Sequence, residues 1–141
     1  MHKLAVVYWT SSGNTETMAD AIIEGAKLTG AIVDKIPANK FTPIELDKFD
    51  SIAFGCPAMG DELLDEYEFE PMFQSVLPHL TSKRFALFGS YGWGTGEWMR
   101  TWETICNENG ATPSFPSIIA NYAPDDSVIE ELKELGKNLT K

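Results

Sequence analysis

The chain is poor in residues that cross-link proteins or hold metals, with two cysteines and two histidines among 141 residues. Cys56 and Cys106 stand 50 positions apart with only His2 and His79 as further soft ligands, which makes neither a zinc set nor a disulfide framework. Reduced thiols, a cytoplasmic location and no bound metal are expected. Basic residues are scarce as well: 11 Lys and Arg face 21 Asp and Glu, a net charge of −10. That excludes nucleic acid and anionic membrane surfaces as generic partners, because both need clustered cations. A charged partner has to be basic. Long apolar runs are missing too, and the one at residues 4–9 ends at Thr10, short of a signal-peptide core or the roughly 20 residues that cross a bilayer.

What is present is an ordinary globular composition, 43% hydrophobic with a mean hydropathy of −0.16. The expected organisation is one domain, 1–141, around one core. Short β-rich runs at residues 3–9, 31–36, 51–55, 84–90 and 114–120 read as five strands, most of them apolar on both faces. Such strands belong to a parallel sheet covered by helices. Helical patterns fall between them at residues 15–28, 68–80, 96–108 and 125–139, with Pro71 suited to a first turn and Pro78 ending or bending the second helix. Residues 37–48 are weakly patterned. The fold class is a three-layer, doubly wound α/β sandwich, whose ligands bind beyond the carboxyl ends of the strands where strand order reverses. Residues 10–15, 56–62 and 91–96 follow the first, third and fourth strands, and they are also the chemically unusual stretches.

Thr10-Ser11-Ser12-Gly13-Asn14-Thr15 sets four hydroxyls, an amide and a glycine between a buried strand and a helix start. Helix-terminal N–H groups, the macrodipole and nearby hydroxyls together suit a phosphate. No Lys or Arg lies between Leu4 and Ala26, so neutral donors would hold it, and neither GxxxxGK[ST] nor GxGxxG is present. The plainer alternative is a helix cap with surplus serines. In Ala58-Met59-Gly60-Asp61-Glu62, Gly60 stands where the backbone can need positive φ, or the stretch is a simple turn. Asp61, Glu62, Asp65, Glu66, Glu68 and Glu70 then crowd ten residues, with no Lys or Arg from Phe49 to Ser82. Such a run is either a solvated face or, beside a ligand loop, a docking face. Residues 89–96 place Ser90, Tyr91 and Trp93 among four glycines, where an exposed aromatic can stack on a planar ligand for about 1–3 kcal/mol. Trp98 and Trp102, one helical turn apart, are assigned to the core. A serine hydrolase is disfavoured because Phe88 occupies the first position of the GxSxG pattern, and a phosphoacceptor receiver lacks its carboxylates.

These three loops resemble the flavodoxins, and specifically their short-chain, anaerobe (clostridial) branch. The motif [TS]-x-[TS]-G-N-T is met by residues 10–15, the second flavin loop by residues 58–62 and the third by residues 88–94; the likeness runs the length of the chain. It implies a five-stranded parallel sheet in the order 2-1-3-4-5. It also implies non-covalent FMN, with its phosphate in the loop of Thr10, Ser11, Ser12, Gly13, Asn14 and Thr15. The flavin ring would lie between Met59 and Trp93, with Trp9 against the phosphate loop. Glu62 would accept from flavin N3–H, Ala58, Asp61, Ser90, Tyr91 and Gly92 would complete the lining, and Asn121 would contribute from the loop after the fifth strand. The implied function is low-potential one-electron transfer between redox enzymes, cycling between semiquinone and hydroquinone, rather than catalysis. In the family the Gly60–Asp61 peptide turns over on reduction so that its carbonyl meets N5–H, which a type II′ turn with glycine first would permit. Uncompensated carboxylates near the ring would oppose an anionic reduced state. A monomer docking basic-surfaced redox enzymes near Asp65, Glu66 and Glu68 is expected. The alternative, an FMN-dependent reductase of a small substrate such as a quinone, lacks a segment for a nicotinamide or substrate pocket.

Overall fold

The computed structural model describes residues 2–141. Strands β1 (Lys3–Tyr8), β2 (Ile32–Pro37), β3 (Ser51–Gly55), β4 (Arg84–Tyr91) and β5 (Ile118–Asn121) form one parallel sheet in the order β2-β1-β3-β4-β5. Between and after them run α1 (Asn14–Lys27), α2 (Pro43–Leu46), α3 (Phe69–Val76), α4 (Glu97–Glu108) and α5 (Asp126–Leu139). Strand order reverses between β1 and β3, so the expected architecture is met and the loops after β1, β3 and β4 open at one edge of the sheet.

Side chains alternate across the central strands as the period of two demands. Ala5, Val7, Ile52, Phe54, Phe85 and Leu87 face α3 and α4, whereas Leu4, Val6, Ala53, Ala86 and Phe88 face α1 and α5. The first layer is aromatic. Phe54 meets Phe41, Phe73 and Phe85 edge-on, Trp102 stands perpendicular to Phe69 and Phe73, and Trp98 and Trp102 are buried as expected. The second layer is close-packed by small residues. A Cβ at Gly25 would stand 2.0 Å from the Lys133 carbonyl oxygen, and one at Gly136 would stand 2.1 Å from that of Ile22, so α1 and α5 touch backbone to backbone.

At the amino ends of the strands, polar groups close on one another. Ser51 Oγ donates to the Leu139 carbonyl at 2.8 Å, and Arg84 donates to the Asn138 and Lys141 carbonyls at 2.7 and 2.9 Å, satisfying the carboxyl end of α5. With the single Ser51 proton used, His2 Nε2 is the donor in its 2.8 Å bond to Ser51 Oγ.

Three boundaries differ from the sequence reading. β5 begins at Ile118 rather than at residue 114, because Pro113 and Pro116 bring no N–H to the ladder, although Ser114 N–H still reaches the Phe85 carbonyl at 2.8 Å. The helix read over 68–80 ends at Val76 and passes into a 3-10 turn, Leu77–His79, that accommodates Pro78. Within residues 37–48 a single turn, α2, forms under a Thr42 cap that accepts from Glu45 N–H at 3.3 Å.

Candidate cofactor site

The first loop leads into a helix, α1, whose amino end has no side-chain cap among the described residues, whereas Asp125 caps α5 by accepting from Val128 N–H at 2.9 Å. Gly13 precedes α1 with φ 97°. Thr10 Oγ1 accepts from Gly13 N–H at 3.0 Å and so folds the turn. Ser11 and Ser12 are exposed, and together with Asn14 they line a cleft of about 250 Å³ whose other walls include Ala58, Ser90, Tyr91 and Gly92. Free first-turn amides beside neutral hydroxyls are the donor set a phosphate requires. Thr15 behaves differently. It faces the sheet, fully buried, and its Oγ1 lies 2.8 Å from the buried Ser90 Oγ, bracing the first loop against β4.

The second loop leaves β3, runs alongside β4 and then doubles back. Cys56 N–H donates to the Phe88 carbonyl at 3.2 Å and Ala58 N–H to that of Ser90 at 2.9 Å. Met59 and Leu63 then exchange backbone bonds of 2.7 and 2.8 Å around the three-residue turn Gly60, Asp61, Glu62. Gly60 takes the expected positive φ, 51°, but the turn is one residue longer than a two-residue type II′ hairpin. Glu62 is also left-handed, φ 57°, at a cost of about 1 kcal/mol for a residue with a Cβ. That conformation carries its carboxylate to the third loop, where Oε1 accepts from Glu97 N–H at 3.0 Å at the start of α4. A carboxylate has acceptor positions to spare beyond this one bond.

In the third loop Trp93 is 68% exposed, an aromatic with no core to fill. The Tyr91 ring turns the other way and packs on Trp98 with centroids 5.4 Å apart. Asn121 Nδ2 donates to the Gly92 carbonyl at 3.0 Å and to that of Tyr91 at 3.3 Å, tying the loop after β5 to the third loop. The structure thus brings Ser11, Ser12, Asn14, Ala58, Ser90, Tyr91 and Gly92 to one cleft, whereas Met59, Gly60 and Asp61 line a separate groove with Leu63 and Tyr67. It adds Tyr122, which also lines the cleft. Its exposed, loop-borne ring is the same signal that singled out Trp93.

The acidic run divides in two. Asp65 is not a surface charge: it is 6% exposed, and its Oδ2 accepts from Glu68 N–H at 2.7 Å and Phe69 N–H at 2.9 Å, shaping the turn into α3. Docking at Asp65 is therefore corrected, since its carboxylate is consumed by backbone donors. Asp61, Glu66, Glu68 and Glu70 remain exposed, and among the described residues no Lys or Arg pairs with any of them. Glu68 Oε1 accepts from Trp9 Nε1 at 3.3 Å, so Trp9 links the first loop to this segment. Both cysteines are buried and unpaired; burial pushes the Cys56 thiol well above its ordinary range and that of Cys106 up to about 12, which leaves neither nucleophilic at neutral pH. Among the described residues no cluster of three metal-ligating side chains occurs, and no helix is long and apolar enough to cross a membrane.

Comparison with known proteins gives the family and supports the fold. The family model for flavodoxin matches residues 6–136. The chain is 41% identical to the flavodoxin of Megasphaera elsdenii over 136 residues, covering 96% of this chain and 97% of that one. It is 39% identical to the flavodoxin of Clostridium beijerinckii, covering 96% and 98%. The solution structure of two-electron reduced Megasphaera elsdenii flavodoxin superposes with a TM-score of 0.88 over 97% of this chain and 98% of the other. The chain belongs to the flavodoxin family, the FMN-binding electron carriers.

Proposed function

We propose that residues 1–141 act as one FMN-binding domain that passes single electrons between redox enzymes, with the cofactor held by the four loops described above. The observation that carries this reading is the bare amino end of α1 beside the Ser11 and Ser12 hydroxyls, opening into the cleft that Ala58, Ser90 and Gly92 also line. FMN, when bound, supplies reversible one-electron chemistry. Thr10, Ser11, Ser12, Gly13 and Asn14 would hold the phosphate without a cation, with Thr15 keeping that turn braced on Ser90. Met59 and Trp93 would cover the two faces of the ring and keep water from it. Glu62 would accept a hydrogen bond from N3–H and the Gly60 carbonyl one from N5–H, with Asp61 completing the turn.

A basic partner docks on Asp61, Glu66 and Glu68, around the exposed Leu63 and Tyr67, where opposite charge speeds encounter. The protein works as a monomer in the cytoplasm, where both buried thiols stay reduced. The comparisons favour the carrier over a quinone reductase. The test is to add FMN to flavin-free protein and follow the loss of flavin fluorescence, then reduce the complex stepwise without oxygen. Saturation at one FMN per chain, with reduction in two separate one-electron steps, supports the reading. Reduction in a single two-electron step overturns it.

A further inference from the structure

Tyr122 is the one aromatic of the site that neither sequence pattern nor motif singled out, and its placement is costly. It is one of two non-glycine residues with positive φ among those described, at 59°, and its side chain is 62% exposed. Residues with a Cβ avoid that conformation, and strain of this kind collects at functional sites. The other such residue is Glu62, already in the site.

Three contacts impose the conformation. Tyr122 N–H donates to the Tyr91 carbonyl at 2.7 Å, and the preceding Asn121 is clamped to the Tyr91 and Gly92 carbonyls. The ring lies over Gly92, where an added Cβ would come within 3.3 Å of Cε1 and 3.8 Å of the phenol oxygen. Gly92 is therefore the flat floor on which the ring rests. Tyr122 lines one cleft together with Ser11, Ser12 and Asn14 of the phosphate turn and with Ala58, Ser90 and Gly92 of the loops assigned to the flavin ring.

We infer that Tyr122 is a cofactor-positioning residue whose ring, rather than its hydroxyl, covers the ribityl chain joining flavin ring and phosphate. The inference rests on the FMN site proposed above. An aromatic face suits the C–H surface of a sugar alcohol and shields its hydroxyl bonds from water. Because the backbone is strained for this purpose, binding and stability are set against each other at residue 122.

The test compares wild type, Tyr122→Phe, Tyr122→Ala and Tyr122→Gly as flavin-free proteins, measuring dissociation constants for FMN and for riboflavin together with the thermal midpoint. Tyr122→Phe is expected to bind both within twofold of wild type. Tyr122→Ala and Tyr122→Gly lose about tenfold for FMN and riboflavin alike, in the range of one lost aromatic stack. Tyr122→Gly at the same time melts higher than wild type, which no purely structural role for the ring would produce. Unchanged FMN affinity in Tyr122→Ala overturns the inference, and so does a loss confined to FMN and shared by Tyr122→Phe, which would make the hydroxyl a phosphate ligand. Failure of wild type to bind FMN would instead remove the underlying site.

Discussion

The two ends of the parallel sheet are built on opposite terms. At the amino ends of β3 and β4, His2, Ser51 and Arg84 bind one another or the last carbonyls of α5, and each takes up its polar capacity inside the molecule. At the carboxyl ends, α1 starts without a side-chain cap, Glu62 and Tyr122 hold left-handed backbone, and Trp93 and Tyr122 extend into solvent. One end spends its hydrogen bonds on the fold, while the other withholds them and accepts strain. Unsatisfied donors and strained loops gathered on one side mark where a ligand completes the structure.

Substitutions at the two ends should therefore separate stability from cofactor binding. The largest loss of stability is expected for Ser51→Ala, which strips the Leu139 carbonyl and the His2 ring of their partner and should cost about 1–3 kcal/mol in urea unfolding. FMN affinity should stay within twofold; a parallel fall in affinity would mean that the two ends are coupled. Next, Asp65→Ala should cost about 1–2 kcal/mol although it lies at the carboxyl end, because its carboxylate caps the turn into α3. Glu66→Gln, one residue on, should leave stability within about 0.5 kcal/mol and instead slow reduction by a basic partner at low ionic strength. Equal stability effects at the two positions would erase the distinction between buried and docking acids. Gly60→Val should cost about 1–2 kcal/mol of stability, for a branched side chain at positive φ. Its main effect should be to lower the potential of the first one-electron step with little loss of FMN affinity, read by spectroelectrochemical titration. An unchanged potential would remove the Gly60 carbonyl from the redox role.

Much of this division was legible in the chain. The five strands, their parallel arrangement and the loops that meet at one edge follow from doubly apolar runs, and β3 falls on the expected residues 51–55. Where the reading slipped, the reason is local. Pro113 and Pro116 flank a bend and leave too few donors for residues 114–117 to join the strand, and α2 is too short to show a period. Asp65 looked like one acid among six. Its role as acceptor for Glu68 and Phe69 depends on a turn that charge patterning does not reveal, although an acid four residues ahead of the apolar helix start at Phe69 carries a capping signal. Tyr122 was hidden because its importance rests on the Asn121 clamp and the bare surface of Gly92, which a one-dimensional pattern cannot bring together.

The close approach of α1 and α5 at Gly25 and Gly136 also bears on how the protein is made. α1 leaves the ribosome early and α5 much later, yet the face of α1 that carries Met18, Ile22 and Ala26 finds part of its cover only in α5. While synthesis continues, that apolar face stays partly open, and the turn that begins α1 sits on a helix not yet pinned from behind. The cofactor cleft thus becomes rigid only when the far part of the chain arrives, so FMN capture is expected as a late event in the life of the nascent chain.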